Sequence, residues 1–227
     1  MESFKKITAR AAKRHGGPAV FAAKLKAEVP TPATKRKLTT TGDDRYLALM
    51  AKCVFRSGFV WRVVGEKLSE FERAFQKFDP QTVVRLSDEA LDHLAQDDRI
   101  IRHRRKVYSV RHNAAFVRQI AREHESFGKF LAQWPTDDPA GLALYLKKHG
   151  DRLGGHTGFY FARYAGRDTF VLTPDVIAAC VHQGVVKKEP TSAKALRELQ
   201  DAMLQWQSES GVSLATISKT LACSIDA

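Results

Sequence analysis

Apolar residues in this chain recur every three to four positions, and no alternating, strand-like stretch is sustained anywhere. From Asp43 onward, Tyr46, Leu47, Met50 and Ala51, followed by Val54 and Phe55, mark one helical face. Gly58 breaks or closes that helix, and Val60 to Leu68 starts another. Leu68 through Phe78 places Phe71, Ala74, Phe75 and Phe78 on one side. Asp79-Pro80 reads as a helix start, with the carboxylate as cap and proline in the first turn, and Ser87-Asp88-Glu89 is a second start of the same kind. Arg104 to His124 carries a long stripe of Val107, Val110, Ala114, Val117, Ile120 and Ala121. Shorter helices are predicted over Phe127–Trp134, Ala140–His149 and around Phe159–Tyr164. Toward the end, Leu196, Leu199, Met203 and Trp206 form one stripe, and Leu214, Ile217 and Leu221 another, closing the core or offering a dimer face. The predicted class is all-α.

Residues 1–42 read differently. They are basic and alanine-rich, with short helical stretches at Phe4–Ala12 and Ala19–Ala27 that Val29-Pro30-Thr31-Pro32 interrupts. The expected organisation is a partly ordered basic arm over 1–42 followed by a helical domain over 43–227.

The net charge of +12 changes the picture, because it calls for an acidic partner such as nucleic acid. The charge is concentrated. Arg99, Arg102, His103, Arg104, Arg105 and Lys106 fall within nine residues around Ile100 and Ile101. Each such cation near a phosphate releases a counterion, although a run of this kind also describes a plain solvated face. Three cysteines, Cys53, Cys180 and Cys223, form no disulfide framework and point to a reducing, cytoplasmic compartment. Cys180 and His182 stand two apart with no second pair, so no metal site and no cofactor are expected. No apolar run is long enough to span a membrane, and no signal peptide is read at the N-terminus.

Around the basic run lie Gly58-Phe59-Val60-Trp61, Phe75-Gln76-Lys77-Phe78-Asp79-Pro80 and His112-Asn113-Ala114. This ordered set resembles the DNA-3-methyladenine glycosylase I family of the helix-hairpin-helix superfamily. The resemblance implies a helix-hairpin-helix glycosylase fold and a monomer. It also implies base excision repair on double-stranded DNA, associated with a bacterial nucleoid, by flipping an alkylated base and hydrolysing its N-glycosidic bond. Trp61 matches the tryptophan that stacks on the extruded base, and Phe55 and Phe59 stand near it in sequence as further walls of an aromatic slot. The family's base-reading acid lies eight residues earlier, where this chain has Cys53. The family's zinc ligands are absent as well.

A predicted helix, the turn Leu153-Gly154-Gly155-His156-Thr157-Gly158 and a second helix look like the hairpin itself. Glycine permits positive φ there and lets backbone N–H groups reach a phosphate. Leu153 and Gly155 match the hairpin pattern, while Thr157, with Gly158 beside it, holds the second glycine position. The candidate DNA contacts are therefore Gly155, Thr157, Gly158, Arg102, Arg104, Arg105 and Lys106. In the segment Thr169–Val176 two registers compete for the superfamily's catalytic aspartate. One puts Thr173 at that position; the other allows Asp175, which also reads as a simple helix cap.

An inactive relative that recognises damaged or structured DNA without cleaving it is the alternative, motivated by the missing acid and zinc ligands. A basic helical interaction protein with no nucleic-acid role is a weaker third reading.

Overall fold

The computed structural model describes residues 1–225, and every regular element among them is helical. In chain order the helices are α1 (Phe4–Arg14), α2 (Pro18–Glu28), α3 (Lys35–Thr40), α4 (Asp43–Arg56), α5 (Trp61–Glu66), α6 (Leu68–Ala74) and α7 (Pro80–Val83). They continue as α8 (Asp88–Gln96), α9 (Arg104–His124), α10 (Phe127–Gln133), α11 (Pro139–His149), α12 (His156–Tyr164), α13 (Pro174–His182), α14 (Ala193–Ser210) and α15 (Leu214–Cys223). The caps follow the local chemistry. Asp79 accepts from the Gln81 N–H, and Ser87 accepts from the Ala90 N–H.

The chain divides into two compact units. One holds residues 34–134 and 145–161, the other residues 1–33, 135–144 and the described part from 162 onward. In the first unit α9 is the central element, with α4, α7, α8 and α10 packed against it. The predicted stripes of α4 and α9 are buried, apart from the half-buried Ala121, and an aromatic run of Phe55, Phe71, Phe75 and Phe78 fills the space beside them. The helix expected over Leu68–Phe78 stops at Ala74. Gln76, Lys77 and Phe78 then take positive φ in a tight turn, which still turns Phe75 and Phe78 into the core.

In the second unit α1 packs on α2, α14 and α15, and α13 packs on α15. Residues 1–33, expected as part of an arm, are here two helices with Phe4, Ile7, Ala11, Ala12 and Phe21 buried. Their ends are tied by specific bonds. The Trp206 indole donates to the Glu2 carbonyl at 3.0 Å, and the Phe4 N–H donates to Glu209 at 3.1 Å. Glu2 also accepts from Arg10 and Gln183, which together hold its carboxyl down at about 2. The packing therefore draws its boundary near residue 33, not 42, and α3 belongs with α10 in the first unit.

Candidate nucleic-acid interface

The aromatic turn between α4 and α5 is where the first unit exposes apolar surface. Phe59 and Trp61 are 39% and 40% accessible, with Val60 and Val63 beside them. Burying them would be favourable, and together they leave a contiguous apolar patch at the surface. The indole is fixed rather than loose. Arg56 lies over the Trp61 ring at 4.8 Å, and Tyr160 meets it edge-on at 5.1 Å. Phe55 does not join this slot. It is 1% exposed and packs on Phe71 at 4.5 Å, because its place on α4 points it into the core. Cys53 is equally buried on the same helix, and burial pushes its thiol up to about 12, so it stays neutral.

The basic run divides by burial. Arg102 and Arg105 are exposed at the start of α9 and have no ion pair among the described residues. Arg104 is exposed but engaged, pairing with Asp92 at 2.6 Å and lying over the Tyr108 ring. Lys106 departs from the expectation that it faces DNA alongside them. It is 4% exposed, since position 106 falls on the inward face of α9. Its ammonium donates to the Phe55 carbonyl at 3.3 Å and to the Ser57 carbonyl, and it sits 4.4 Å above the Phe59 ring. Burial lowers the amine to about 8, with the Arg152 charge adding to the effect. Lys106 thus pins the turn that presents Phe59 and Trp61.

The hairpin turn lies between α11 and α12. Leu153 is fully buried and anchors it. Gly155 has φ +56°, is exposed, and has open space where a Cβ would stand. The second helix starts at His156, three residues earlier than the apolar pattern predicts. Thr157 and Gly158 therefore lie in the first helical turn with buried side-chain positions, so any contact they make with DNA runs through backbone N–H groups.

Sequence reasoning missed the residue that seats this turn. Asn113, buried on α9, accepts from the Asp151 N–H at 2.8 Å and donates to the Asp151 carbonyl at 3.0 Å. Its neighbour His112 meets the Asp151 carboxylate at 2.9 Å. The His112-Asn113-Ala114 motif, which sets a polar Asn inside an apolar stripe, is the sequence signal that points there.

In the other unit, Thr173 caps α13, its hydroxyl accepting from the Val176 N–H at 3.3 Å. Asp175 sits half-buried in the first turn of that helix and is not its cap. No group of three or more His, Cys, Asp or Glu side chains among the described residues is arranged to hold a metal ion. No helix among the described residues is long and apolar enough to cross a membrane.

Comparison with known proteins follows the same lines. A family model described as methyladenine glycosylase matches residues 38–149. DNA-3-methyladenine glycosylase 1 of Escherichia coli K12 is 29% identical over 148 residues, spanning 57% of this chain and 77% of that protein. The 3-methyladenine DNA glycosylase I of Staphylococcus aureus superimposes with a TM-score of 0.52 at 22% identity, covering 70% of this chain and 91% of its own. The 8-oxoguanine DNA glycosylase of Thermotoga maritima reaches 0.56 at 14% identity over 96% and 95% of the two chains. At such identities the structural likeness speaks for the fold, the all-α DNA glycosylase fold.

Proposed function

We propose that this chain, whose residues 38–149 match the methyladenine glycosylase family model, is a monofunctional DNA glycosylase that removes an alkylated base from double-stranded DNA. The observation that carries this reading is the exposed Trp61 indole, held by Arg56 and Tyr160 in the same unit as the basic start of α9 and the open Gly155 turn. A flipped base loses its stacking in the duplex, and a fixed, solvent-facing indole replaces it. The hairpin backbone and the cations Arg102 and Arg105 bind phosphates, and the protein acts as a monomer.

The chemistry asks little of the protein. A purine alkylated on its ring carries positive charge and leaves as a neutral base when the C1′–N bond breaks. Water then supplies the hydroxyl at C1′ and releases a proton. What helps is a carboxylate near the cationic sugar that develops. Asp175 is assigned that role. Thr173, the other register, spends its hydroxyl on the α13 cap.

The test is release of free base from methylated duplex DNA, followed by chromatography. Release above the uncatalysed rate, lost in Trp61→Ala, supports the reading. One observation favours a second: Cys53 offers a neutral, buried thiol where the family resemblance calls for an acid. Tight DNA binding with no base release would establish that inactive, lesion-recognising relative instead.

A further inference from the structure

A recess of about 350 Å³ opens beside Phe59, lined by Val54, Ser57, Gly58, His103, Lys106 and Arg152 as well as Phe59 itself. Three segments meet there: the turn after α4, the first turn of α9, and the loop that opens the hairpin. Their charges are one-sided. Lys106 and Arg152 line the recess together with the polar ring of His103, and no carboxylate does. The long helix α9 also directs its positive end toward this side.

The donors are ready. The Gly58 N–H has no hydrogen-bond partner among the described residues, and with φ +76° and open space at its Cβ position it leaves backbone accessible. His103 uses Nδ1 to accept the Lys106 N–H, which leaves Nε2 as the N–H donor of the ring. Arg152 is held in a left-handed conformation at φ +60°, which a non-glycine residue adopts at a cost of roughly 1–3 kcal/mol. The Asn113 clamp on Asp151 fixes the backbone immediately before it. A strained, exposed arginine beside a buried lysine, with nothing negative between them, is an arrangement that folding alone does not favour.

We propose that this recess is an anion site for one phosphodiester group of DNA, held by Arg152, the His103 Nε2–H and the Gly58 N–H, with Lys106 supplying field from beneath. The site stands apart from the hairpin backbone at Gly155 and adds a fixed phosphate next to the aromatic turn, setting the register of the strand whose base reaches Trp61. It deepens the glycosylase reading and rests on it for the identity of the ligand.

The experiment has two arms. In the first, inorganic phosphate is titrated into the full chain at constant ionic strength, observed by the Gly58 amide and His103 ring resonances. Both are expected to shift saturably, with sulfate competing, and to stay still in Arg152→Gly, which keeps the left-handed backbone. His103→Asn, which preserves a capping side chain, serves as the second variant and is expected to weaken the Gly58 shift. In the second arm, the salt dependence of duplex binding is measured. Arg152→Gly is expected to reduce the slope of log K against log salt by about 0.9, the value of one phosphate contact. Immobile resonances, or an unchanged slope, overturn the site while leaving DNA binding and base release intact. If the wild-type chain binds phosphate in the first arm but no duplex in the second, the phosphodiester assignment fails together with the glycosylase reading, and the recess is a site for free phosphate.

Discussion

Replacing Lys106 with methionine sets two opposed effects against each other at the centre of the candidate site. The amine is held at about 8 by burial and by Arg152, instead of the usual 10.5. Keeping it charged at neutral pH therefore costs about 3 kcal/mol. Methionine removes that cost. It also strands the Phe55 and Ser57 carbonyls, at about 1–3 kcal/mol each, and gives up a cation–π contact worth roughly 0.5–2 kcal/mol. The balance is a loss of about 2 kcal/mol at pH 7. The sign of the pH dependence is fixed by linkage. Below about pH 8 both folded and unfolded chains hold the proton, and stability is flat. Between 8 and 10.5 the folded chain has released it while the unfolded chain keeps it, so stability of the wild type rises with pH. Measured by urea unfolding, the gap between wild type and Lys106→Met is expected to widen by about 1.4 kcal/mol per pH unit above pH 8. Acrylamide quenching of Trp61, the most exposed of the three tryptophans, is expected to increase in the variant. A variant as stable as the wild type at pH 7, or a gap that does not move with pH, would refute the view that this lysine pins the aromatic turn.

Three further outcomes follow from the geometry. Trp61→Ala is expected to abolish base release with only a modest change in unfolding midpoint, since the ring lies at the surface and 40% of it is accessible; a midpoint that collapses would make the residue structural. Asn113→Ala removes both bonds to the Asp151 backbone and is expected to cost about 2–3 kcal/mol and to speed amide exchange at Gly155, read by hydrogen exchange. Phe4→Ala is expected to destabilise by about 3–5 kcal/mol, because the ring is buried where α1 meets the C-terminal helices; an unchanged midpoint would return residues 1–33 to the status of an arm.

The helices of the first unit were legible because each carries its own evidence. The α4 and α9 stripes repeat at helical spacing, and Ser87 and Asp79 announce helix starts. The ordering of residues 1–33 was not legible, because the partners that bury Phe4 and receive the Glu2 carbonyl lie about two hundred positions away, at Glu209 and Trp206. A short basic helix reads as solvated until its partner stripe is known. The same limit hid the roles of Lys106 and Asn113. Each looks polar in the sequence, yet each is buried and bonded to backbone thirty-eight to fifty-one residues away. The motif singles out Trp61, which the fold leaves accessible, but Phe55 was misplaced beside it, because proximity in sequence does not say which side of α4 a ring takes.

The environment of Trp61 bears on which bases the protein prefers. Arg56 covers one face of the indole, with its guanidinium 4.8 Å from the ring centre. A base stacking on the opposite face lies about 8 Å from that charge, where an effective dielectric near 20 gives a repulsion of about 2 kcal/mol toward a cationic base and almost none toward a neutral one. An acid at position 53 would offset this, and the buried, neutral Cys53 thiol does not. Arg56 therefore limits how far the pocket favours a charged alkylpurine over a neutral lesion. In Arg56→Gln, release of 7-methylguanine measured against hypoxanthine in the same duplex context is expected to rise by roughly tenfold or more, since 1.4 kcal/mol corresponds to a factor of ten. A ratio that stays constant would mean that the arginine charge is screened from the stacked base, and that the selectivity of this pocket arises from shape rather than from charge.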